Sequence, residues 1–112
     1  MKLAFSILIF ISFFAFSVSA LADIEKALAA IDAEDFETAF REFKPLADAG
    51  NARAQRNLGQ LYLYGEGVTK STSEGLKWLT KAAEQDDASA QGMLGYVFLN
   101  LYDEFDVTRD YK

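Results

Sequence analysis

The chain has 112 residues, 51% of them hydrophobic, with 17 acidic and 11 basic side chains and a net charge of −6. It holds no cysteine and no histidine, which excludes disulfides, thiolate metal sites and the catalytic arrangements that need a thiol or an imidazole. An acidic surface of this kind also disfavours nucleic acid and anionic lipid headgroups.

The first twenty residues differ from the rest. Lys2 is followed by an uncharged apolar run from Leu3 to Val18, which closes on small residues as Val18-x-Ala20 and Ala20-x-Ala22. A positive start, an apolar middle and a small-residue site form the order of a secretory signal peptide, with cleavage after Ala20 or Ala22. A retained membrane anchor is the competing reading, but the run is short for a span of ~20 residues. Cleavage removes Lys2, moving the net charge from −6 to −7. The absence of cysteine excludes a lipid-anchored amino terminus, so the expected location is periplasmic or secreted, with no membrane association after cleavage.

From residue 23 the apolar spacing becomes helical. Ile24, Ala27, Leu28 and Ile31 fall at i, i+3, i+4 and i+7, the stripe of an amphipathic helix. Asp35 is placed to cap the next helix, where Phe36, Ala39, Phe40 and Phe43 repeat that spacing. Pro45 lacks the N–H that would bond to Arg41, so the last turn is expected to deviate, and Gly50 is expected to end the helix. Next, Gln55, Leu58, Gly59 and Tyr62 mark a helix that leads into a Gly65-Glu66-Gly67 turn. Gly75, Leu76, Leu79, Ala82 and Ala83 mark its trailing partner, with Trp78 beside them and Thr72 or Ser73 as cap. A further helix opens at Ala88 and carries Gln91, Leu94, Gly95 and Phe98; its partner would only be starting at Lys112.

An offset of 36 pairs Ala52 with Ala88, Ala54 with Ala90, Gln55 with Gln91, Leu58 with Leu94 and Gly59 with Gly95, all identities. That period is one of paired helices. The expected fold is therefore all-α, a short α-solenoid of antiparallel helix pairs: a leading pair over 23–50, a complete repeat over 51–86 and a partial one over 87–112.

These residues carry a resemblance. "NARAQRNLGQLYLYGEGV", followed by "EGLKWLTKAAEQ", resembles the Sel1-like repeat, a relative of the tetratricopeptide repeat. Leu58, Gly59, Tyr62, Gly65, Gly67 and Val68 fall on its first half, and Trp78, Lys81, Ala82, Ala83, Glu84 and Gln85 on its second. "AEDFETAFREFKPLADAGNA" is similar to the tetratricopeptide-like helical unit that often precedes the first full repeat in exported members. Some positions depart from the pattern. Gly75 replaces the usual alanine, at an expected cost of ~1 kcal/mol in helix propensity, and Asp86 replaces a terminal glycine. The third unit offers "NLYDEFDV" in place of Gly-x-Gly, which implies an altered or longer loop. Leu94, Phe98, Leu101 and Tyr102 are left without their expected cover.

Catalysis finds little support in these residues. Asp32, Glu34, Asp35 and Glu37 cluster around a turn but lack calcium-loop spacing, and Asp103, Glu104 and Asp106 fare no better. Gly65-x-Gly67 lacks the lysine and hydroxyl residue of a phosphate loop. No catalytic residue, metal ligand or cofactor is expected. Tyr62, Trp78, Phe40, Phe43 and Phe98 sit on packing stripes and read as core, and Lys81 beside Trp78 reads as a solvated charge.

Stacked helix pairs build a curved array with a concave face, and related repeats bind peptides or domains there. The resemblance places Arg53, Arg56, Gln60 and Tyr64 on that face, followed by Ser89, Tyr96 and Asn100. It implies a non-enzymatic adaptor or scaffold for a protein partner in the bacterial cell envelope. A different class is an envelope enzyme or a peptidoglycan- or glycan-binding protein related to β-lactamase-like members; a third reading is a fragment of a longer array. The unpaired last helix points to self-association.

Overall fold

The computed structural model describes residues 21–104, with side chains through Asn100. The apolar leader of residues 1–20 lies outside the described residues, as do residues 105–112. Five helices follow one another: α1 (residues 21–32), α2 (Phe36–Asp48), α3 (Ala52–Tyr64), α4 (Thr72–Glu84) and α5 (Ala88–Glu104). From α2 onward each packs against its neighbour in sequence, so the chain is an all-α repeat solenoid.

The apolar stripes build the core. Ile24 and Ala27 of α1, Ala39, Phe43 and Ala47 of α2, Ala54, Leu58 and Leu61 of α3, and Trp78 of α4 form one buried cluster. Phe43 is fully enclosed, a burial that favours the fold by roughly 1.5–3 kcal/mol. Phe40 meets Tyr62 edge to face at 5.5 Å between ring centroids. A smaller cluster of Leu79, Ala82 and Ala90 joins α4 to α5, with Leu63, Met93 and Leu94 against it. Phe98, assigned to the core by its spacing, is 57% exposed, because no described helix covers that face of α5.

The connections are short and hydrogen-bonded. Asp35 caps α2 by accepting from the Thr38 N–H at 3.2 Å. Pro45 lies inside α2 without ending it, and the helix closes beyond it when Gly50 N–H donates to the Ala47 carbonyl and Asn51 N–H to Leu46. The same pair of bonds closes α1 at Glu34 and Asp35, and α4 at Asp86 and Asp87. Glu34 and Asp86 hold φ of 57° and 64° there, so two acidic residues do what Gly50 does at the end of α2.

Three expectations change. Ser71, not Thr72 or Ser73, caps α4: it is extended and accepts from Glu74 N–H at 3.2 Å, with Glu74 at capping-box spacing. Gly75 gains a packing reason that accompanies its propensity cost, since a Cβ there would lie 2.6 Å from the Leu63 side chain and 3.0 Å from the Gly59 carbonyl oxygen. The altered loop after Asn100 is not a loop within the described residues. Without the Gly-x-Gly signal α5 continues to Glu104, seventeen residues against thirteen in α3.

Candidate partner-binding site

A groove of about 540 Å³ opens between α3 and α5. α3 contributes Leu63 and Tyr64, and the approach to α4 contributes Lys70 and Thr72. These come together because α3 ends at Gly65, whose φ of 67° turns the chain so that both its own N–H and that of Glu66 reach the Leu61 carbonyl. Gly67 follows at φ 70°, packed so closely on the Phe36 carbonyl that no side chain fits there. The turn is thereby fixed to the amino end of α2.

The other wall belongs to α5. Ser89, Gly92, Met93, Tyr96, Val97 and Asn100 line it, at i, i+3, i+4, i+7, i+8 and i+11, a single helical stripe. Leu63, Met93 and Val97 supply apolar surface, and a Cβ at Gly92 would meet nothing within 4 Å. Around them stand Ser89, Thr72, Asn100 and the two tyrosines, with Lys70 the only charged side chain in the lining. Tyr64 and Tyr96 are 58% and 64% exposed. The arrangement can take an extended segment by burying an apolar side chain and hydrogen-bonding its backbone.

Four of the seven residues assigned to a concave face therefore meet in this groove: Tyr64, Ser89, Tyr96 and Asn100. Arg53, Arg56 and Gln60 do not line it. By the offset of 36 they are the α3 counterparts of Ser89, Gly92 and Tyr96, on the same stripe one unit earlier, and Leu61 of that stripe is buried with α1 and α2. Arg53 and Gln60 are exposed. Arg56 is engaged: its Nε lies 3.6 Å from Asp87 Oδ1, both side chains are mostly buried, and Nε has no hydrogen-bond partner. Asp87 also accepts from Ala90 N–H at 2.8 Å, capping α5. Arg56 thus ties α3 to the amino end of α5.

Leu63, Lys70, Thr72, Gly92, Met93 and Val97 escaped the sequence reading. For the last three the signal existed, since they complete the helical stripe that Ser89, Tyr96 and Asn100 begin. Another unread group is polar. Gln55, 5% exposed, donates to the Ala47 carbonyl at 3.1 Å and accepts from Gln85 at 2.8 Å, while Gln85 also donates to the Gly50 carbonyl at 2.9 Å. One unit later Gln91 donates to the Ala83 carbonyl at 3.2 Å. Among the described residues no three acidic side chains converge as a metal site, and no helix is long and apolar enough to cross a membrane.

The Sel1 repeat profile matches residues 52–87 and 88–112. A Sel1-like repeat-containing protein of Acanthamoeba polyphaga mimivirus is 41% identical over 44 residues, 39% of this chain and 8% of that protein. The crystal structure of a Sel1 repeat protein from Oxalobacter formigenes superposes with a TM-score of 0.55 at 41% identity, covering 67% of this chain and 29% of that one. The chain thus spans a small part of the length of these relatives. Sel1 repeats are generally protein-interaction modules without catalysis of their own. Two matched repeats, the stacked helix pairs and the glycine-locked turn agree on one conclusion: the chain belongs to the Sel1 repeat family.

Proposed function

We propose that the chain is a non-enzymatic interaction module of the bacterial cell envelope that holds an extended segment of a protein partner in the groove between α3 and α5. The observation that carries this reading is the groove itself, an apolar floor of Leu63, Met93 and Val97 inside a rim of hydrogen-bonding side chains. The envelope location rests on the signal-like leader of residues 3–18, and the non-enzymatic role on the lack of histidine and cysteine. A photo-cross-linking residue placed at Tyr96 is expected to trap a defined envelope protein, and Met93→Asp to abolish the product. Equal trapping from Glu25, exposed on α1 and outside the groove, sinks the proposal.

A second reading is favoured by the opposite face of α5, where Phe98 and Leu99 are 57% and 70% exposed. Two copies burying these faces against each other would remove that apolar surface from water. Sedimentation velocity is expected to show a dimer at rising concentration and a monomer for Leu99→Asp; a wild-type monomer at every concentration rejects it.

A further inference from the structure

Trp78 is the only tryptophan in the chain, and it is 4% exposed. Three ammonium groups gather on its ring: Lys81 Nζ at 4.6 Å from the centroid, Lys44 at 5.3 Å and Lys77 at 5.6 Å. Lys77 and Lys81 flank Trp78 on α4, while Lys44 reaches across from α2. The two trailing helices therefore share a cationic collar whose floor is an indole. Lys81, exposed as its reading as a solvated charge expects, is also the closest of the three to the ring.

Confining three like charges within 5.6 Å of one point is unfavourable. The indole face offsets part of that repulsion, and each lysine stem covers apolar surface. Two carboxylates offset more: Asp48 lies 2.8 Å from Lys44 and Glu74 lies 3.9 Å from Lys77. Both pairs are solvent-exposed, the class of ion pair that exchanges readily and contributes little. Among the described residues no carboxylate lies within 4 Å of Lys81. The collar thus keeps an excess of positive charge on a chain whose net charge is −6.

We propose that Lys44, Lys77 and Lys81 over Trp78 form a second binding site, one that takes an acidic peptide segment of a protein partner. Closely spaced carboxylates of that segment replace Asp48 and Glu74 and complete Lys81, while the lysine stems stay on the indole. A short acidic segment fits the charge balance better than nucleic acid, whose one charge per ~1.7 Å would extend onto the acidic surface beyond the collar. The site lies on α2 and α4, away from the groove between α3 and α5, so each proposal can fail without the other.

Trp78 reports on its own site. In the full chain at low salt, about 20 mM, octaglutamate is expected to change Trp78 emission saturably. Lys81→Gln and Lys44→Gln, which keep most of the stem over the ring, should each weaken binding by about fivefold, the scale of one exposed ion pair. Lys70→Gln, in the groove, should leave it unchanged. Flat emission overturns the proposal, as does an equal affinity in Lys81→Gln and Lys44→Gln. Inorganic phosphate binding as tightly as octaglutamate reduces the collar to a small-anion site and rejects the peptide. The wild type supplies a check that needs no variant: a response that persists undiminished at about 0.5 M salt does not come from the collar and overturns it too.

Discussion

Gly59 and Gly95 occupy the same point of the repeat, 36 residues apart, yet they live in different surroundings. A Cβ on Gly59 would lie 2.9 Å from Leu79 Cγ and 3.0 Å from the Gly75 carbonyl oxygen, whereas one on Gly95 would meet nothing within 4 Å. In the α3–α4 pair, two facing glycines let the helix backbones approach until each carbonyl oxygen limits the other residue. On α5 the same glycine looks out beside exposed Phe98 and Leu99. The repeated letter thus encodes a local readiness to pack, and its energetic value is set by whether a partner helix arrives.

The largest effect should separate these two sites. Gly59→Ala forces a methyl group against the Gly75 carbonyl and the Leu79 backbone nitrogen, 3.2 Å away; backbone cannot step aside as a flexible side chain can. A loss of about 1–3 kcal/mol is expected. Gly95→Ala meets no such atom and only gains helix propensity, so it should stabilise by ~0.5–1 kcal/mol. Urea unfolding of the two variants measures both, and a shift of the same sign in each would erase the contrast.

The helices were legible because their stripes, caps and turn glycines are local. Ile24, Ala27, Phe43 and Leu58 fell where spacing put them, and the positions of Gly65 and Gly67 announced a turn. Gly75 was only half legible for the opposite reason: the packing that calls for a glycine is with Leu63, twelve positions away on another helix, which no local pattern shows. The groove divides the same way. Ser89, Tyr96 and Asn100 share a helix with the missed Gly92, Met93 and Val97, so periodicity held the whole wall. Lys70 and Thr72 enter only through the fold of the turn. Arg56 was legible as a surface position but not as the partner of Asp87, because capping and ion pairing at that distance depend on how α5 is docked.

A second pair of equivalent residues sharpens the contrast between enclosed and open units. Gln55 is buried, bonded to Ala47 and Gln85, and Gln91 makes the equivalent carbonyl bond in an exposed setting. Gln55→Ala removes two hydrogen bonds at a buried position, leaving the Ala47 carbonyl with the Gly50 N–H and the Gln85 amide with the Gly50 carbonyl, an expected cost of about 1–2 kcal/mol. Water replaces Gln91 in Gln91→Ala, which should cost less than about 0.5 kcal/mol. Thermal unfolding of the single variants tests this, and near-equal losses would show that the two units are equally well packed.

The smallest effect concerns two aspartate caps, one at a free edge and one locked between helices. Asp87 caps α5 while it faces Arg56, but the Asp35 carboxylate caps α2 with no ion-pair partner within 4 Å among the described residues. The hydroxyl and backbone N–H of Thr38, with a smaller contribution from Arg41, hold the Asp35 carboxyl below its ordinary value of 3.8. A folded value below the unfolded one means that this cap contributes fully above the ordinary range and is lost as pH falls through the folded value. Near neutrality the Asp35 contribution should therefore be complete and independent of pH, and it should decline with acid only below about pH 4. Asp35→Asn keeps an acceptor for Thr38 N–H but removes the titration. Its urea midpoint, followed from about pH 5 to pH 2, should fall less steeply than that of the wild type. Parallel curves would mean that the proton taken up in acid goes elsewhere, and that the Asp35 cap acts as a neutral acceptor would.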